Sequence, residues 1–196
     1  MQNVIAGEQL KAGEMMFIGE DGKAYGIKHL LPPGPPALHW DISKKQVHDL
    51  IHGFVPHRLA TGLADSAYRL TTLSEFLRFW EWSLIWTMRR KKNFRDCDAA
   101  TRKLKGMLVC EGWAGLVPLD IWYKHANGGR HSEFATVLVD ESLIPGPPVS
   151  FRDPTPYDVM KIAKVYLCEP SKRDMIRPCL EYFAPETGRS VYRVNQ

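Results

Sequence analysis

The chain has 196 residues, 44% of them hydrophobic and 24% charged, with a net charge of +4. That composition describes a globular chain with material for one substantial core, and it excludes disordered and fibrous classes. The excess of positive charge is too small to predict nucleic-acid binding, and the most apolar stretch, residues 73–88, carries Glu75, Arg78 and Glu81, so no membrane span is expected.

The N-terminus, MQNVIAGEQLKAGE, has no basic start followed by an apolar run, so no signal peptide is expected. Four cysteines, Cys97, Cys110, Cys168 and Cys179, include no C-x-x-C pair, which argues against a zinc ribbon or thioredoxin-type motif. Free thiols in a reducing compartment are the default. The dense basic run RRKK, Arg89 to Lys92, reads as a solvated helix end where cations suit the dipole.

Residues 4–28 read as short strands and turns punctuated by Gly7, Gly13, Gly19 and Gly22, with Asp21-Gly22 a hairpin signal. This β unit is too short to bury a core alone. The proline-rich stretch LLPPGPPALHW, residues 30–40, predicts an extended connector. The expected organisation is a β attachment unit over 1–30, a linker over 31–41 and one α+β body over 42–196. Within the body, a helix is expected over 43–54, with Ser43 and Gln46 forming a capping box and Ile42 and Val47 a hydrophobic staple. Its apolar stripe is Val47, Leu50, Ile51 and Phe54. A second helix is expected from Leu73 to Arg90, with Thr72 and Glu75 at its start and apolar residues around most of its circumference.

A third helix is expected to begin at Cys97, capped by Asp96, with Cys97, Ala100, Leu104 and Leu108 at helical spacing and Gly112 ending it. Strands follow at LVPLDIWYKH, FATVLVD, VSF, KVYLCEP, CLEYFAP and SVYRV, with a short helix at Tyr157–Ala163 introduced by Thr155 as cap and Pro156 as its first residue. Helices first and a mostly antiparallel sheet afterwards define the α+β class.

A catalytic thiol needs a helix N-terminus or cation to favour thiolate, a histidine to exchange protons and a third polar group to orient that histidine. Cys97 opens a helix, His131 precedes a strand after Gly128-Gly129, and Glu169 ends a later strand before Pro170. The alternative for Cys97 is a small buried packing residue, with Asp96 only a cap. His48 and His52 stand at i and i+4 with His39 and His57 nearby, a spacing that can share a zinc ion. No glutamate base accompanies them, and ordinary half-buried histidines are the competing reading.

The runs FRDCDAATRKLKG, GGRHSEFATVLVD and VYLCEP resemble the papain-like domain of the mushroom agglutinin and its relatives, the lectin MOA-related family, over roughly residues 70–175. The resemblance implies a papain-like fold with Cys97 as nucleophile, His131 as general base and acid, and Glu169 as the orienting group. It also implies a peptide substrate and calcium as a candidate cofactor, with Asp96 and Asp98 as candidate ligands. Ser132 follows the histidine where relatives more often carry alanine. No glutamine precedes Cys97, so Asn93 or a backbone amide would complete an oxyanion hole.

The first 28 residues resemble the short β units of tailed-phage capsid decoration and tail proteins. Two readings of function follow. In one, the chain is a virion structural subunit whose β unit attaches it to other virion proteins or to further copies, with the papain-like body as hydrolase or inactive scaffold. In the other, it is a free papain-like cysteine peptidase in the cytoplasm.

Overall fold

The structure is a computed structural model that describes residues 5–6, 16–18, 21–26, 33–34, 40–59, 61–87, 97–113, 116–144, 158–170 and 175–196. Strands β1 (Ile5–Ala6), β2 (Met16–Ile18) and β3 (Lys23–Gly26) form a small sheet in the order β1-β3-β2. The hairpin between β2 and β3 turns at Asp21-Gly22, where Gly22 adopts φ 80. A side chain there would strain the backbone, which is why glycine follows the aspartate. Asp21 Oδ1 accepts from the Lys23 N–H at 3.0 Å and Oδ2 from the Tyr25 hydroxyl at 2.8 Å, closing the turn from its own side chain. The connector is described only at Pro33 and Gly34; the rest of residues 30–39 lies outside the described residues.

Strand β4 (Trp40–Ser43) leads directly into α1 (Lys44–His52). Ser43 caps α1, and the reciprocal Gln46 bond completes the capping box expected from the sequence. Val47 and Ile51 are fully buried, and Leu50 and Phe54 pack partly against them. Two short strands that the sequence did not announce, β5 (Thr61–Gly62) and β6 (Ala67–Leu70), follow. β6 pairs antiparallel with β4, and β5 joins the main sheet.

Helix α2 (Leu73–Ser83) is capped by Thr72 and is shorter than the expected helix to Arg90. Leu84 takes the left-handed conformation at φ 47, and Ile85–Thr87 form one 3-10 turn; residues 88–90 lie outside the described residues. Ser83 Oγ donates to the Trp80 carbonyl at 2.8 Å and accepts from the Ile85 N–H at 3.3 Å, replacing bonds the helix would have supplied. The break lets Trp86 fold back to a ring distance of 6.1 Å from Trp80. A straight helix would have left one of its two aromatic faces in water.

Helix α3 (Cys97–Cys110) is followed by Gly112 at φ 79. The main sheet then adds β7 (Leu119–Lys124), β8 (Arg130–Val139), β9 (Ala163–Cys168), β10 (Ile176–Pro178) and β11 (Ser190–Asn195). Its order is β10-β9-β8-β7-β11-β5, antiparallel except for the β11–β5 pair. The α+β class expected from the sequence is the class observed.

Each face of this sheet carries its own core. Ala135, Val137 and Val139 of β8 pack with α1 residues, whereas Phe134 and Leu138 pack with Phe76, Phe79 and Trp80 of α2 and Leu104 and Leu108 of α3. β8 is covered on both sides and therefore reads as a nearly continuous apolar run. Full burial of a side chain the size of Leu or Phe contributes about 2 kcal/mol.

Three expectations are corrected or fall elsewhere. CLEYFAP is not a strand: β10 stops at Pro178, and α5 (Cys179–Tyr182) follows. Proline has no N–H to continue the ladder, and Cys179 and Phe183, four apart, both bury on one helical face. The short helix is α4 (Val159–Ile162), capped by Asp158, whose Oδ1 accepts from the Met160 N–H at 3.1 Å; Thr155 and Pro156 lie outside the described residues. The VSF segment, 149–151, also lies outside them.

Asp140 closes the far end of β8. Its Oδ1 accepts from the Ser142 hydroxyl at 2.6 Å, and its Oδ2 from Lys164 Nζ at 2.9 Å and the Tyr166 hydroxyl at 3.2 Å. Burial alone would raise this carboxyl, but the Ser142 and Lys164 hydrogen bonds override it and hold it down to about 2. A carboxyl depressed in the folded state contributes stability above its unfolded value and loses it as pH falls through the folded one. Wild type should therefore lose on the order of 1–2 kcal/mol more than Asp140→Asn between about pH 4 and pH 2. Urea midpoints at each pH measure this, and parallel curves would refute it.

Candidate active site

The hairpin between β7 and β8 sets the site. His125 N–H donates to the Gly129 carbonyl at 2.8 Å, Gly128 takes φ 82, and the strands leave in the register Tyr123↔His131 and Ile121↔Glu133. Side chains alternate along a strand, so His131 and Glu133 share one face with Tyr123. β9 pairs with β8 so that Cys168 lies beside Phe134, and Glu169, the next residue, returns to the face of Glu133. The Glu169 N–H donates to the Met175 carbonyl at 3.0 Å, which anchors the strand end.

His131 Nε2 lies 2.7 Å from Glu169 Oε2 and 3.5 Å from Glu133 Oε1. The imidazole is 17% exposed and the two carboxylates 6% and 1%. Two of the three residues singled out for catalysis thus meet across 38 positions of chain. The third, Cys97, is the first residue of α3; its side chain lies outside the described residues, as do Asp96 and Asn93.

Glu133 was not singled out in the sequence. It accepts a hydrogen bond from the Tyr123 hydroxyl, and Arg177 Nη2 lies 2.7 Å from both of its oxygens. Tyr182 sits beneath: its hydroxyl is 3.1 Å from that of Tyr123, and its ring lies between the guanidinium groups of Arg177 and Arg189, at 4.0 and 4.1 Å. Burial pushes the Glu133 carboxyl up, while Arg177 and the Tyr123 hydrogen bond draw it part of the way back. Burial and the Glu133 charge push the Tyr123 hydroxyl well up. His125 stacks on His131 with ring centroids 5.9 Å apart, and burial followed by the His131 charge lowers its pKa.

A sequence signal for Glu133 existed: a carboxylate two residues after His131, inside an apolar strand, must face the same way and needs a buried partner. Arg177 and Tyr182 carried no comparable signal, because CLEYFAP read as a strand and the pairing of β10 with β9 brings them to the site only in the tertiary structure.

The ligand atoms of His131, Glu133 and Glu169 lie within 4.8 Å of one another, close enough for a metal ion. Their polar atoms are engaged differently: Arg177 and Tyr123 occupy Glu133, and Glu169 takes His131 Nε2. A cationic guanidinium in contact with the cluster opposes a second cation. Of the two calcium ligands implied by the family resemblance, Asp98 has its Oδ2 3.1 Å from Arg102 Nη2, and Asp96 lies outside the described residues. His48 Nδ1 is hydrogen-bonded to the Thr61 hydroxyl, His52 Nδ1 lies 3.3 Å from the Val55 carbonyl oxygen, and the rings of His48, His52 and His57 stack in a row on α1 and the turn after it. Stacked rings present their faces, not converging lone pairs, to one another.

No protein-family model matches the chain, and no curated protein matches it. Solved structures that resemble it include a PSL1a–E64 complex, at TM-score 0.56 and 13% identity over 80% of this chain and 50% of that one. They also include Polyporus squamosus lectin bound to the human-type influenza-binding epitope Neu5Aca2-6Galb1-4GlcNAc, at TM-score 0.54 and 14% identity over 80% of this chain and 49% of that one. The chain spans about half the length of these proteins. At such identity the likeness establishes a shared fold with a mushroom lectin and does not carry function.

Proposed function

We propose that the chain is a papain-like thiol hydrolase domain acting on peptide bonds. Cys97 attacks the carbonyl carbon, His131 exchanges the proton and Glu169 orients His131. The observation that carries this reading is the 2.7 Å contact between His131 Nε2 and Glu169 Oε2, made by residues 38 apart. A carboxylate on Nε2 fixes the tautomer and ring orientation and assigns proton exchange with the thiol to Nδ1. The 14-residue helix that starts at Cys97 supplies a positive dipole end, which favours thiolate. Asp98 would oppose this, but Arg102 beside it offsets its charge.

In the first step the Cys97 sulfur bonds to the carbonyl carbon, and the protonated His131 gives its proton to the departing amine. In the second, His131 takes a proton from water, the resulting hydroxide attacks the thioester, and the proton returns to the thiolate with release of the acid.

Iodoacetamide treatment near neutral pH, with mapping of the alkylated residues, tests this. Cys97 should react ahead of the exposed Cys110, and His131→Ala should slow it. Cys168 and Cys179 are fully buried with their thiols pushed well up by burial, and should stay unlabelled in the native protein. Labelling of Cys110 ahead of Cys97, or a Cys97 rate indifferent to His131, would refute it.

The assembly half of the proposal places this domain on a virion. It is supported by the resemblance of residues 4–28 to phage β units and by the separate three-stranded sheet they contribute to. Co-purification with virion proteins would support it; a concentrated monomer absent from particles would favour a free peptidase. The sugar bound by the Polyporus squamosus lectin belongs to a protein of which this chain matches about half, and it does not enter the reading.

A further inference from the structure

We propose that Glu133 is a second positioning carboxylate for His131, and that Arg177 neutralises it so that the imidazole answers to one net negative charge and not two. This rests on the role given to His131 above. Glu133 is an expensive residue in its place: 1% exposed, in a strand whose same-face neighbours Ala135, Val137 and Val139 belong to the core. It lies 3.5 Å from His131 Nε2, on the nitrogen that Glu169 also approaches. Its own oxygens are held by Arg177 and Tyr123.

Tyr123 touches Tyr182, Tyr182 stacks on Arg177, and Arg177 returns to Glu133. This closed ring of contacts joins β7, β8, β10 and α5 on one side of the imidazole. A carboxylate needed only for packing would be satisfied by Arg177 alone and would not have to stand beside the histidine.

The groups facing His131 come from every neighbouring element: Glu133 on its own strand, Tyr123 and His125 from the β7 side, Glu169 after β9, and Arg177 on β10. Arg189, before β11, backs Tyr182, and α3 begins with Cys97. With both carboxylates ionised and Arg177 charged, these three groups together carry one net negative charge, which matches one imidazolium, and Arg189 adds its charge behind the Tyr182 ring. Glu133→Gln removes a negative charge and leaves Arg177 uncompensated, so the imidazolium is disfavoured. Arg177→Met does the reverse. The double variant restores the original sum.

Titration of the His131 imidazole by NMR in the full chain reads this directly. Glu133→Gln should lower its midpoint by about one pH unit, as expected for a unit charge a few ångströms away in a partly screened site. Glu133→Gln with Arg177→Met should return it to within a few tenths of a unit. If Glu133→Gln fails to fold, Arg177→Met, followed at low temperature, should raise the midpoint by a similar amount. A folded single variant with an unmoved midpoint overturns the proposal. A shifted imidazole with an inert Cys97 would remove the hydrolase reading and keep this charge pair. A reactive Cys97 with an unmoved imidazole would do the opposite.

Discussion

Cys97→Ala is expected to lower peptide hydrolysis by roughly 10⁵-fold while leaving the protein folded. The sulfur forms the covalent intermediate, and no other described thiol can replace it: Cys168 and Cys179 are sealed in the two cores, and Cys110 lies at the opposite end of the same helix. Unfolding midpoints should stay within about 1 kcal/mol of wild type, since a thiol-to-methyl change at a helix start deletes little volume. Retained hydrolysis would end the nucleophile assignment. A collapse in stability with the chemistry otherwise intact would mark Cys97 as a packing residue.

Arg177→Met should destabilise the fold by about 3 kcal/mol, the largest single effect on stability expected of the site's residues. Arg177 has 17% of its side chain exposed, and its Nη2 engages both oxygens of a carboxylate only 1% exposed. Removing it leaves Glu133 buried with Tyr123 as its strongest remaining donor. The Glu133 charge then stays buried without its cation, which costs free energy at neutral pH. The double variant with Glu133→Gln should recover most of the loss, because neither partner is then charged. Denaturant midpoints near pH 7 for the two singles and the double measure the coupling; additivity within about 0.5 kcal/mol would show that the pair does not act as one.

The motifs read best from the sequence were local ones. Ser43 and Gln46 are three residues apart and cap each other without help from elsewhere. Asp21-Gly22 turns a hairpin because glycine alone tolerates the backbone angle there at no cost. Helix α3 starts at the cysteine because the spacing of Ala100, Leu104 and Leu108 gives it a buried stripe. The Leu73–Arg90 helix was overextended for the opposite reason. Its apolar spacing runs on past the break, whereas Leu84 turns left-handed after Ser83 and Trp86 packs back against Trp80. Likewise CLEYFAP alternates like a strand, yet Pro178 ends the ladder and the core takes Cys179 and Phe183 as one helical face.

By itself, the sequence determined the α+β class and the helix start at Cys97, because apolar spacing depends only on neighbours in the chain; it placed His131 just before a strand that begins instead at Arg130. Only the tertiary structure decided what stands beside His131. Glu169 and Arg177 come from 38 and 44 residues away from their partners, and they arrive through the ladders that seat β9 against β8 and β10 against β9. A ladder's register depends on both strands and on the cores beneath them, so no single segment encodes the meeting of imidazole, carboxylates and guanidinium.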